Sequence, residues 1–67
     1  MIKELDVVVL TKDLEEYPLK RGDVGTVVHV HDSGKAYEVE FVTDEGKTIA
    51  VVTLSAQDLN PSRGIVN

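Results

Sequence analysis

Eight residues in the middle of the chain, Ala36 to Thr43 (AYEVEFVT), put Tyr37, Val39 and Phe41 on one side and Glu38 and Glu40 on the other. A period of two is the signature of a strand with one buried face. Slipping that strand by one residue would turn two glutamates into the core, so its inner face is fixed before any neighbour is considered. Short turns on both sides pass the constraint on. Ser33-Gly34, flanked by Asp32 and Lys35, reads as a two-residue hairpin turn that pairs His31 with Ala36, His29 with Glu38, Val28 with Val39 and Val27 with Glu40. Glu45-Gly46, flanked by Asp44 and Lys47, pairs Val42 with Ile49, Phe41 with Ala50, Glu40 with Val51, Val39 with Val52 and Tyr37 with Leu54. The two registers are independent, yet they name the same inner face: Val28, Val30, Tyr37, Val39, Phe41, Ala50, Val52 and Leu54.

The remaining strands are shorter. Asp6 to Thr11 (DVVVLT) is β-branched and too short for a helix, and Val8 and Leu10 are assigned to its inner side. Lys12 to Gly22 is a long connection in which Pro18 stops any helix begun at Asp13. Its Leu14, Tyr17 and Leu19 are expected to fold over one end of the core. Gly22 and Gly25 stand three apart just ahead of a β-branched run, where glycine permits a positive φ or a close backbone approach. Ser55 to Gln57 forms one tight turn, and Asp58 to Pro61 is a last strand with Leu59 inward and Pro61 confining it to an edge. The expected fold is all-β, a small five-stranded SH3-like barrel built as a meander of tight hairpins with a long first loop. It is a single domain over residues 1–61, followed by a tail, 62–67, expected to fray.

Composition narrows the function. Seven Lys and Arg stand against twelve Asp and Glu, a net charge of −5 that disfavours nucleic acid and anionic membranes. Without cysteine there is neither a disulfide framework nor a thiolate metal site. The longest apolar run, Val7 to Leu10, is far too short to span a bilayer, and the start MIKELD lacks the layout of a secretion signal. A cytoplasmic location is expected.

Several resemblances rest on particular residues. Gly22-Asp23-Val24-Gly25-Thr26-Val27 resembles the G-x-x-G-x-V core of the KOW motif of ribosomal and transcription-factor barrels. GDVGTVV followed by alternating strands is also similar to the photosystem I subunit IV barrel and the ferredoxin–thioredoxin reductase variable chain. The most extensive resemblance runs from Leu5 to Pro61, through DVVVL, DLEEYPLKRGDVGTVV, YEVEF and VVTLSAQDL, to small bacterial proteins of unassigned function. It implies an SH3-like barrel and no activity. The KOW-like resemblance implies a buried Val27, whereas the hairpin register turns Val27 outward; a bulge or sharp bend near Gly25 would satisfy both.

Candidate sites follow from the outward face. Val27, Val42, Ile49 and Val51 lie on it among His29, Glu38, Glu40 and Thr53, although a solvated sheet face normally reads polar. Scattered exposed valines are ordinary. A contiguous patch on so small a chain calls for a cover: the tail through Ile65 and Val66, a second copy, or another protein. The expected partner-binding set is therefore Val27, His29, Glu38, Glu40, Val42, Ile49 and Val51, in a non-catalytic interaction module of accessory or antitoxin-like type. The alternative is a KOW-like RNA or ribonucleoprotein contact through Lys12, Lys20, Arg21 and Lys35, opposed by the net charge and by having only three aromatics. His29 and His31, two apart on a strand, could begin a metal site with Asp32 or Glu40, but an open sheet offers no convergent ligands. No metal, cofactor or small-molecule substrate is expected. Nor is catalysis, because Glu38 and Glu40 sit on a convex face rather than in a pocket.

Overall fold

The computed structural model describes residues 2–62. Five strands, β1 (Val7–Leu10), β2 (Val24–His31), β3 (Ala36–Val42), β4 (Thr48–Leu54) and β5 (Leu59–Pro61), form one antiparallel sheet in the order β4-β3-β2-β1-β5. A 3-10 turn over Ala56–Asp58 carries the chain from β4 to β5. This all-β meander, with its long first loop, is consistent with a small SH3-like barrel. The core gathers Val8, Leu10, Leu19, Val27, Tyr37, Val39, Phe41, Val52, Leu54 and Leu59. Leu14 and Tyr17 pack against it from the first loop, which is pinned by a Leu14–Leu19 bridge, so that loop does cover the core. The tail expected at 62–67 falls, beyond Ser62, outside the described residues, and with it Ile65 and Val66.

Beyond the turns, the central pairings hold. Tyr37 faces Leu54, Val39 faces Val52, Glu40 faces Val51 and Phe41 faces Ala50, while His31 faces Ala36 and His29 faces Glu38. Two one-residue bulges change what lies beyond. In β2 the register shifts between Val27 and His29, so that Val27 pairs with Val39 and Thr26 with Glu40. The cause is parity. Gly25 and Val27 are buried, whereas His29 and His31, at the same parity, lie on the outward side. A regular strand cannot do both, and Val28 is the extra residue that lets it. Val27 is therefore 0% exposed and Val28 40%, which corrects the assignment of Val27 to the outer face and of Val28 to the core.

The second bulge is in β4. The β3–β4 turn spans three residues rather than two: the Thr43 N–H donates to the Lys47 carbonyl, and Gly46 has φ +89°. A type I turn closed by a left-handed glycine is the usual three-residue hairpin, and the Thr43 hydroxyl accepts from the Lys47 N–H at 3.1 Å to brace it. Val42 consequently faces Thr48, not Ile49, and Ile49 bulges out before the register recovers at Phe41 and Ala50. The β2–β3 turn also departs from Ser33-Gly34. Asp32 and Ser33 both adopt left-handed φ, and His31 O accepts from both Gly34 and Lys35. Aspartate tolerates that conformation well.

Candidate functional site

With the bulges in place, the outward face of β2, β3 and β4 falls into rows. Val24, Val42 and Ile49 line one cleft of about 590 Å³ together with Leu19, Phe41, Asp23 and Asp44. Thr26, Glu40 and Val51 form the next row, and His29, Glu38 and Thr53 the third. The aliphatics Val24, Val28, Val42, Ile49 and Val51 are all exposed, Val51 to 51%. Five of the seven residues expected to bind a partner, Glu40, Glu38, Val42, Ile49 and Val51, thus lie on β3 and β4 of one face. His29 completes it from β2, and Val27 does not belong.

The polar end of the face is internally bonded. The His31 ring lies 2.8 Å from Glu38 Oε2, the same oxygen that accepts the Thr53 hydroxyl at 2.7 Å. Thr53, then His31, hold the Glu38 carboxyl below the ordinary carboxylate range, outweighing desolvation. The partner of Glu38 is therefore diagonal His31 rather than His29, which stands edge-on to the His31 ring at 4.6 Å and 3.9 Å from Glu4 Oε2. Glu40 has one such bond, from the Thr48 hydroxyl at 2.6 Å. Among the described residues no three His, Asp or Glu side chains converge as a metal site would require.

The basic residues of the alternative reading stand on two connections, Lys12, Lys20 and Arg21 on the first loop and Lys35 on the β2–β3 turn. Lys12 is committed to Asp58 at 3.3 Å. Burial pushes Asp58 up, but the Ser55 N–H and hydroxyl and the Lys12 ammonium outweigh it, and its carboxyl lies below the ordinary range. Acidic side chains also hold the loop backbone that carries Lys20 and Arg21: Asp23 accepts from the Lys20 N–H and Asp13 from the Arg21 N–H, each at 2.9 Å. Lys35 sits apart, on the β2–β3 turn.

Two aliphatic residues of the face, Val24 and Val28, escape the sequence reading. Val28 was hidden by the bulge, which leaves no mark in composition. Val24 could have been found, since a buried Val27 with an inward Gly25 puts Val24 and Thr26 outward.

Residues 4–61 match the family described as "Domain of unknown function (DUF4926)". No curated protein and no solved structure matches the chain. Among the described residues no helix is long and apolar enough to cross a membrane.

Proposed function

Taking as premise that the chain belongs to the DUF4926 family, we propose that it is a non-catalytic interaction module whose outer sheet face binds a basic protein partner. The observation that carries this reading is the exposed aliphatic group Val24, Val42, Ile49 and Val51 on one face of a chain with a net charge of −5. On a chain of this size such a patch marks an interaction surface more often than a solvated one. The carboxylates beside the aliphatics supply the sign of the partner: Asp23 and Asp44 line the same cleft, Glu40 stands across from Val51, and opposite charge steers association. An accessory or antitoxin-like subunit that neutralises a basic protein fits this chemistry, and the same reading places the protein in the bacterial cytoplasm.

The test is co-purification from the native source with tagged wild type, Val42→Lys and Ile49→Lys. Both positions are exposed, so the variants should melt within a few degrees of wild type. A basic protein retained by wild type and lost with both variants supports the reading. Equal retention by all three, or no protein partner at all, sinks it.

A further inference from the structure

β2 and β3 part at one end of the sheet. Their last pair there is Thr26 with Glu40, whereas Val24 and Gly25 pair with Val9 and Val8 of β1. On the far side of β3, Val42 faces Thr48 and Ile49 bulges out of the register. The cleft of about 590 Å³ opens at this end, and its volume is that of a site for a small organic group rather than a bare ion. Its walls are of two kinds: Leu19, Val24, Val42 and Ile49 are aliphatic, and Asp23 and Asp44 are carboxylates. Among the described residues no lysine, arginine or histidine lines it. The ion pairs among those residues engage Glu4, Glu38 and Asp58, and neither Asp23 nor Asp44. Asp23 accepts the Lys20 N–H at one oxygen only.

Aliphatic walls beside carboxylates that no cation neutralises are complementary to a group with an apolar stem and a positive head. We propose, resting on the basic-partner reading above, that this cleft receives one lysine side chain of that partner. Its methylenes lie against Val24, Val42 and Ile49, and its ammonium meets Asp23 and Asp44. Long basic side chains bury the stem and keep the head in water in this way. Both halves are needed, because an exposed ion pair alone contributes little and apolar contact alone selects no sign. Lysine suits the cleft better than arginine. A guanidinium gains by stacking on an aromatic face, and Phe41, the one aromatic residue lining the cleft, is only 1% exposed. Glu40 lies outside the cleft, opposite Thr26 and Val51, so a second cation on the partner meets it independently.

Amide chemical-shift mapping by NMR on the full chain tests this with three probes. They are a capped alanine-lysine-alanine peptide, its norleucine analogue, which keeps the stem without the charge, and ammonium chloride at matched ionic strength. The lysine peptide should give saturable shifts centred on Asp23, Val24, Val42, Asp44 and Ile49, and bind at least threefold tighter than the norleucine peptide. Ammonium should give no saturable shift. Asp23→Asn and Asp44→Asn should each weaken the lysine peptide about threefold, the scale of an exposed ion pair. Asparagine at the first position keeps an oxygen for the Lys20 N–H, so the loop is held. Glu38→Gln removes the same charge outside the cleft and should leave the affinity unchanged. Shifts centred elsewhere, equal affinity for the two peptides, or an equal loss with Glu38→Gln overturns the proposal. None of the probes is the native partner, so the two readings fail separately. A basic protein that co-purifies while the cleft ignores lysine refutes the lysine site alone. A cleft that takes lysine while no protein is retained refutes the partner and not the site.

Discussion

Gly25 is where β2 crosses closest to the core, and Gly25→Ala tests whether that crossing is as tight as the geometry says. A methyl group there would lie 2.7 Å from Val39 Cγ1 and 2.8 and 2.9 Å from two Phe41 ring carbons. Contacts that short do not survive, so something must move. Val39 and Phe41 are 0% and 1% exposed and cannot swing into solvent. Gly25 is not among the residues with positive φ, so the backbone itself accepts alanine and the penalty is one of overpacking. Overpacking of a well-filled core costs about 1–3 kcal/mol, and three simultaneous clashes put this site in the upper half of that range. A 67-residue chain holds roughly 3–10 kcal/mol in all, and a domain of this size loses about 4–8 °C per kcal/mol. Gly25→Ala should therefore lower Tm by about 10–20 °C and shift the urea midpoint at unchanged slope. Val39→Ala in the same chain removes the nearest clashing atom, so the double variant should be less destabilised than the sum of the singles. Gly22→Ala is the control. There φ is +96° with nothing within 4 Å, so its cost, about 1 kcal/mol of left-handed strain, should be indifferent to Val39→Ala. A Gly25→Ala change within 0.5 kcal/mol of wild type, or strict additivity with Val39→Ala, would refute the close approach.

The β2 bulge makes a paired prediction: Val27→Ala should cost about 2 kcal/mol by emptying a buried site, and Val28→Ala under about 0.5, both read from urea unfolding. The reverse order would restore the regular hairpin register. Acid stability carries a sign. Glu38 is depressed in the folded state, so its contribution is complete above its ordinary value of 4.5 and is lost as pH falls through the lower folded value. Glu38→Gln should flatten the fall of the unfolding midpoint below pH 4.5; a curve parallel to wild type there would count against the His31–Glu38–Thr53 cluster.

Most of the fold was legible because β3 announces its inner face. Glu38 and Glu40 cannot be buried without partners, so Tyr37, Val39 and Phe41 must be, and through the pairing so must Val52 and Leu54. The same logic failed at Val27 and Val28, two adjacent valines with identical side chains. Nothing local distinguishes them; Val27 is inward because Gly25, two residues earlier, packs against Val39 and Phe41, a contact made only in the closed fold. The KOW-like resemblance carried that information, since its G-x-x-G-x-V spacing encodes the buried valine. Val42 and Ile49 were misaligned for a different reason. Gly46 in the left-handed region makes a three-residue turn, and the compensating bulge restores every pair from Phe41 onward, so the error stayed local.

The bulges also reorganise the face that a partner would meet. In a regular β2 the aliphatics would be interleaved with the titratable groups. Instead Val24, Val42 and Ile49 cluster near the β3–β4 turn, while His29, His31, Glu38 and Thr53 cluster toward the β2–β3 turn. Glu40 and Val51 lie on the boundary. The two glutamates, equivalent in sequence, are thereby made unequal. Glu38 is already bonded to a histidine and a threonine, and a cationic side chain arriving there would have to displace His31. Among the described residues Glu40 accepts from the Thr48 hydroxyl alone, and it stands directly beside the aliphatic surface. On the proposed reading, a lysine or arginine on a partner seated over Val42, Ile49 and Val51 would meet Glu40 before Glu38, and Glu40→Gln should then weaken that binding more than Glu38→Gln, measured by co-purification.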